Sequence, residues 1–172
     1  QTLHPILLNP QRELEEMGRL FRPRAEQKHI KLFVDSQSLP DFEVDERALK
    51  QVLNNLLSNA IKFTPENGLV TMRGSVQDDC IAIDVQDTGI GIPKEDIPRL
   101  ARPFEQVESA HSRQHGGTGL GLALTKSLLE AHGGRLEIES EFGVGTIVRA
   151  LIPLRQPKKP AKSQEDMKDA AE

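Results

Sequence analysis

The chain has 172 residues, 37% of them hydrophobic and 28% charged, with a formal net charge of −4. That length holds one domain with a full core, and the acidic balance gives no basic field for nucleic acid. With no Trp, no Tyr and six Phe, the chain also lacks the aromatic platforms on which single strands stack. Its single cysteine, Cys80, cannot form an internal disulfide and fits a reducing compartment. No bilayer-length apolar run and no signal-peptide pattern occurs. The first residue is Gln rather than Met, so the chain reads as a piece of a longer protein. A cytoplasmic placement is expected for this piece, whether or not its parent is membrane-anchored.

Residues 1–9 read as a linker. From 11 to 28, Leu14, Met17 and Phe21 recur at three-to-four spacing, which predicts a helix; Pro23 predicts a kink or an early stop in it. In "HIKLFVD", Ile30, Leu32 and Val34 alternate as in a strand. Residues 36–45 are turn-rich. From Asp45 to Phe63 an unbroken stripe of Leu49, Val52, Leu53, Leu56, Leu57, Ala60 and Ile61 predicts a helix, stopped by Pro65 and Gly68. Two strands follow, at 69–76 and 80–87. Residues 88–119 hold eight glycines and prolines among charged residues and read as a long loop with one short helix near Glu95–Leu100. A helix from Leu120 to His132 is closed by Gly133, and 135–141 and 146–154 are the last strands. The polar stretch 155–172 reads as a disordered tail, its "PKKP" run too short for a nucleic-acid arm. The fold expected is an α/β (α+β) two-layer sandwich: a mostly antiparallel mixed sheet of about five strands covered by about three helices.

Three places break the packing pattern. In "CIAIDVQDTGIGIP", Asp87 falls on the same strand face as Ile81, Ile83 and Val85. A carboxylate aimed at a core is costly unless satisfied. It could accept from a neutral heterocycle bearing an amino group, such as adenine, with Gly89 and Gly91 letting the backbone approach that ligand. Equally, it could cap the following turn. Asn55, Asn59 and Lys62 form a ridge at i, i+4, i+7, away from the leucine stripe. Amide oxygens suit Mg²⁺ already held by phosphates, and a lysine adds charge there; a solvated polar face gives the same pattern. Finally, "GGTGLG" runs straight into a helix whose first N–H groups lack internal partners, a place for an anion, or else a flexible hinge with a cap. It is neither a Walker A motif nor a strand-borne dinucleotide fingerprint.

Taken in order, Asn55/Asn59/Lys62, "DTGIGIP", "PFEQ", "GGTGLGLAL" and "GVGT" resemble the N, G1, F, G2 and C-terminal glycine boxes of sensor histidine kinase catalytic ATP-binding domains. The resemblance covers residues 10–154. It implies the Bergerat (GHKL) fold shared with type II topoisomerases, Hsp90 and MutL mismatch-repair proteins, with ATP and Mg²⁺ as cofactors. The stretch "RPFEQVESAHSRQHGGTGLGLAL" is similar to alphaproteobacterial cell-cycle kinases of the PleC and DivJ group. By this resemblance Asn59 coordinates Mg²⁺ and Asn55 supports the same site. Lys62 and Arg113 face the phosphates, and Phe63 lies beside the nucleotide where the family often has Tyr. Asp87 accepts from the adenine amino group, in a slot formed with Gly89, Gly91 and Ile92. Phe104 anchors a lid spanning about 94–118. Gly117, Thr118, Gly119 and Gly121 shape the phosphate loop, Leu120 follows the nucleotide edge, and Thr146 supports the adenine end.

The family phosphorylates a histidine in an "H-E/D-x-R-T-P"-like box on a separate helical hairpin. None of His4, His29, His111, His115 or His132 fits that box, and His4 is followed by Pro5. Surface or capping roles are expected for all five, and Cys80 reads as a small core residue. The implied activity is transfer of the γ-phosphoryl group from Mg-ATP to a histidine on an upstream dimerisation and phosphotransfer domain outside this chain. A response-regulator receiver domain is the next partner. The parent is expected to be a homodimer and this piece a monomer. Two alternatives stand beside it. An ATPase clamp would need a glutamate on the asparagine-bearing helix, where Glu46 comes about two turns too early. The other is a non-catalytic nucleotide-binding regulatory module.

Overall fold

A computed structural model describes residues 2–99 and 121–157. Phe104, Arg113, Gly117, Thr118, Gly119 and Leu120, each assigned a role above, lie outside the described residues, as does 158–172 of the expected tail.

The chain opens with strand β1 (Pro5–Leu8) and helix α1 (Pro10–Gln27), followed by β2 (Lys31–Asp35) and β3 (Phe42–Asp45). Helix α2 (Glu46–Phe63) leads to β4 (Leu69–Gln77) and β5 (Cys80–Asp87). A short 3-10 helix, Lys94–Arg99, stands where the short helix was expected; α3 (Gly121–Ala131), β6 (Arg135–Glu141) and β7 (Gly145–Pro153) complete the described order. Five strands form one sheet in the order β2-β4-β5-β7-β6, parallel only between β2 and β4. That is the expected mixed sheet with three α-helices among the described residues. None of the described helices is long and apolar enough to cross a membrane.

Local chemistry explains the elements. Helix α1 starts where Asn9 caps it, its side chain accepting from Arg12 N–H, with Pro10 in the first turn. It does not stop at Pro23. Phe21 and Ala25 flank that proline and are both buried, so core packing on either side offsets the one missing hydrogen bond. Gly18 lets α1 sit directly on β2, since a β-carbon there would lie 2.6 Å from Val34 Cγ2. The α2 stripe of Leu49, Val52, Leu53, Leu56, Leu57, Ala60 and Ile61 is buried along its whole length. It packs in one core with the inward residues of the sheet, among them Val70, Met72, Ile81, Ile83 and Val85. On the opposite face of the sheet Arg149 makes a bidentate pair with Asp84 (2.8 and 3.1 Å) and reaches Glu137 at 3.2 Å. The β4–β5 turn, Asp78-Asp79, has φ of 49° and 59°, the left-handed pair a two-residue hairpin uses.

Four further sequence expectations change. The turn-rich stretch 36–45 contains β3, whose Phe42 and Val44 are fully buried. Residues 5–8 of the expected linker form β1, pairing antiparallel with β3 in a separate two-stranded sheet. At the other end, Gln156 is fastened, its N–H donating to Glu43 Oε2 and its side-chain amide to the His132 carbonyl. The ordered chain therefore continues past residue 154. Cys80 is half-buried at the start of β5 rather than a core residue.

The C-terminal end of α2 is held from outside. Lys28, just after α1, donates from Nζ to the carbonyls of Ile61 and Lys62, both at 2.8 Å. These are orphan carbonyls at the negative end of the helix dipole. Burial pushes the Lys28 ammonium below the usual lysine range. Lys28→Met is expected to cost about 1–2 kcal/mol, because two carbonyls lose a charged partner. A urea midpoint indistinguishable from the parent's would contradict that role.

Candidate nucleotide site

Asp87 ends β5, the central strand, and is only 9% exposed. The strand alternation that buries Ile81, Ile83 and Val85 carries Asp87 to the same face. Gly89 N–H donates to its Oδ1 at 2.8 Å, and Thr146 N–H also donates to the carboxylate. Burial raises its pKa above the usual aspartate range, and the two N–H groups pull it partly back. Thr146 lies directly opposite Asp87 in the β5–β7 register, so the two side chains project from the same face.

Backbone packing constrains the glycines after Asp87. A β-carbon on Gly89 would sit 2.7 Å from the Phe63 carbonyl and 2.8 Å from Asp87 Oδ1. Gly91 has φ +73°, and a side chain there would strike the Glu141 carbonyl. At both positions protein backbone presses so closely that a side chain would not fit. The result is a loop locked to two neighbours, the end of α2 and the end of β6. Gly143 N–H donates to Ile90 O at 2.6 Å, and Ile92 N–H to Ser140 Oγ at 2.6 Å.

The asparagine ridge faces the start of α3. Asn55 Nδ2 donates to Gly121 O (3.2 Å) and Thr125 Oγ1 (3.3 Å), while its Oδ1 accepts from Gln51 Nε2. Asn55 therefore ties α2 to the first turn of α3. Asn59, one turn further on, has its amide nitrogen 3.9 Å from where a Gly121 β-carbon would stand. Lys62 continues the ridge with its ammonium 5.4 Å from the Phe63 ring centroid. The structure thus brings together Asn55, Asn59 and Gly121 at one end, and Asp87, Gly89, Gly91, Ile92 and Thr146 at the other. Phe63 links them through its carbonyl's contact with Gly89.

Among the described residues no group of three or more His, Cys, Asp or Glu could hold a metal ion. A divalent cation here would need most of its ligands from phosphate oxygens and water, with a neutral amide oxygen from the protein. That is how Mg²⁺ is commonly held, and Asn59 fits it.

Sequence reasoning missed Ser140, Thr125 and the Asp45 partner of His132. Ser140 and Thr125 carry no box signature, but each is a polar residue at an inward position of its element, which is a usable signal. His132 is 2% exposed, so of the surface and capping roles expected it takes the capping one. Asp45 N–H donates to its Nε2 (3.1 Å), so Nδ1 carries the proton and donates to Leu128 O (2.7 Å). Asp45 also caps α2 by accepting from Ala48 N–H. His132 thus joins the end of α3 to the start of α2.

The family described as "Histidine kinase-, DNA gyrase B-, and HSP90-like ATPase" matches residues 44–156, well over half of the chain. The chain belongs to this family. Several of the relatives are named as histidine kinases. The "Non-motile and phage-resistance protein" of Caulobacter vibrioides is 57% identical over 145 residues, 82% of this chain and 17% of that protein. Histidine protein kinase DivJ of the same organism is 47% identical over 114 residues, 66% of this chain and 19% of that one. Full-length ShkA, solved in complex with AMPPNP, superposes with a TM-score of 0.79 at 31% identity, covering 94% of this chain and 34% of ShkA. The fold is the Bergerat type of histidine kinase catalytic domains. The chain spans under a third of the length of the curated relatives it matches first.

Proposed function

We propose that this ATPase-family domain binds Mg²⁺–ATP and delivers the γ-phosphoryl group to a histidine on a separate helical hairpin, in two-component signalling. The observation that carries this reading is the pairing of a buried, N–H-anchored Asp87 with an asparagine ridge directed at a helix start. Asp87 accepts from the adenine amino group. Asn59, Lys62 and the first turn of α3 hold the phosphate end. Mg²⁺, when bound, would supply charge neutralisation at the triphosphate, and the Asn59 amide oxygen would help hold it. In the transfer, a nitrogen–phosphorus bond forms to the incoming imidazole, and the bond from the γ-phosphorus to its bridging oxygen breaks, leaving ADP.

Two solved relatives support the reading: ShkA in complex with AMPPNP, and ThkA in complex with the response regulator TrrA, which superposes with a TM-score of 0.73 at 25% identity. The partners proposed here are accordingly an upstream dimerisation and histidine phosphotransfer domain and a response-regulator receiver domain, in the cytoplasm, with a dimeric parent. Glu46 sits in the first turn of α2, paired with Lys50 at 3.3 Å, and does not reach the asparagine ridge as the base of an ATPase clamp would.

The test mixes this domain with Mg²⁺, γ-labelled ATP and the parent's own hairpin supplied in trans. Label on the hairpin histidine is expected. Intact nucleotide binding with no label on the hairpin would overturn the kinase reading, and steady hydrolysis lost in Glu46→Ala would replace it with the clamp.

A further inference from the structure

Along β6 the outward residues are Arg135, Glu137, Glu139 and Glu141, while Leu136, Ile138 and Ser140 share the inward face. A serine closing an apolar row needs partners, and Ser140 has three. Ile92 N–H donates to its Oγ at 2.6 Å. The Gly145 carbonyl lies 3.0 Å from the same oxygen, and Thr146 Oγ1 lies 2.9 Å away.

A hydroxyl has one donor and two acceptor sites. Ile92 fills the first acceptor site. A carbonyl can only accept, so Gly145 O takes the Ser140 proton. Thr146 must then donate its own proton into the remaining lone pair of Ser140. Every polar atom is satisfied by this one arrangement, and it leaves Thr146 Oγ1 with lone pairs alone to offer. Beside it, ionised Asp87 is also acceptor-only. The two residues stand opposite each other on β5 and β7 and project from one face.

We propose that Ser140 is a positioning residue that fixes the proton direction at the base end of the site, so that Asp87 and Thr146 together read an amino group and reject a carbonyl. The inference rests on the adenine-binding reading above and extends it to a residue outside the five boxes. An exocyclic amine offers two donors to two acceptors. Hypoxanthine carries an oxygen where adenine carries that amine, and meets lone pairs instead. In Ser140→Ala, Thr146 regains a free proton and can rotate it toward such an oxygen.

The experiment titrates the domain with ATP and with ITP, both with Mg²⁺, by calorimetry. The parent favours ATP. Ser140→Ala is expected to lower the ATP-to-ITP affinity ratio by about fivefold, the size of one redirected hydrogen bond. Ser140→Thr, which keeps the hydroxyl, restores the ratio. A merely structural role would weaken both nucleotides alike. Ser140→Cys keeps the size with a weaker donor and gives an intermediate ratio, which covers the case in which the alanine variant does not fold. Tight ATP binding by the parent with the ratio unchanged in the variants overturns this inference alone. Absence of ATP binding by the parent overturns the underlying reading and this inference with it.

Discussion

Asp87→Asn is expected to weaken ATP by about 1–3 kcal/mol, roughly 5- to 150-fold, while leaving the empty domain at least as stable as the parent. The two effects have opposite signs for one reason. Asp87 is buried, and its pKa lies above the usual aspartate value because burial disfavours the charge. A group whose folded value is raised stabilises the fold fully below its unfolded value, and loses that contribution as pH rises through the folded value. At neutral pH the ionised carboxylate therefore carries a cost that its two N–H partners offset only in part. Asparagine avoids that cost and still accepts the Gly89 and Thr146 N–H groups through its oxygen. Toward a nucleotide it can present an amide N–H₂ to the adenine amine, donor against donor. Thermal melting should show an equal or higher midpoint, while calorimetry shows weaker ATP. The same logic gives a pH dependence. ATP affinity should fall on acidification before an ordinary aspartate would protonate, because the protonated acid loses its role as acceptor. Affinity constant down to the ordinary aspartate range would argue against Asp87 as the base-reading group.

Asn59→Ala is expected to remove the Mg²⁺-dependent part of nucleotide affinity, about 10- to 100-fold, without unfolding the domain. The contrast with its neighbour makes this specific. Asn55 bonds to Gly121, Thr125 and Gln51 and fastens α2 to α3. Its loss would remove one hydrogen bond each from Thr125 and Gly121, which keep their bond to each other, and reduce stability as well as binding. Asn59 lies on the same ridge, at the end that approaches Gly121. Titrations of Asn59→Ala with and without Mg²⁺ should coincide. If they separate as the parent's do, the metal is held elsewhere.

How much of this was legible beforehand varied with the physics involved. The α2 stripe and the five sheet strands follow from apolar periodicity, which burial enforces directly, and the structure places them where that period predicts. Asp87 was legible because it breaks the period on a face that is otherwise apolar. β1 was not, because its Ile6 and Leu7 are 48% and 56% exposed. It is a strand through its pairing with β3, a partner far along the chain. β3 was hidden by flanking turn residues, although Phe42 and Val44 alternate. The early stop at Pro23 does not occur because local propensity loses to packing on both sides. For Gly89 and Gly91, residue type signalled a close approach but not what approaches. The answer, the carbonyls of Phe63 and Glu141, depends on tertiary contacts. The same holds for Lys28 and His132, whose partners lie 33 or more residues away for Lys28 and, for the Asp45 N–H on His132, 87 residues away.

Calorimetric titration of the folded domain with ATP and with GTP, in the presence of Mg²⁺, reads the adenine site most directly. The account predicts saturable heat for ATP at concentrations below millimolar and a much weaker response to GTP. No heat with any adenine nucleotide up to millimolar concentration, or equal affinity for the two bases, would contradict it.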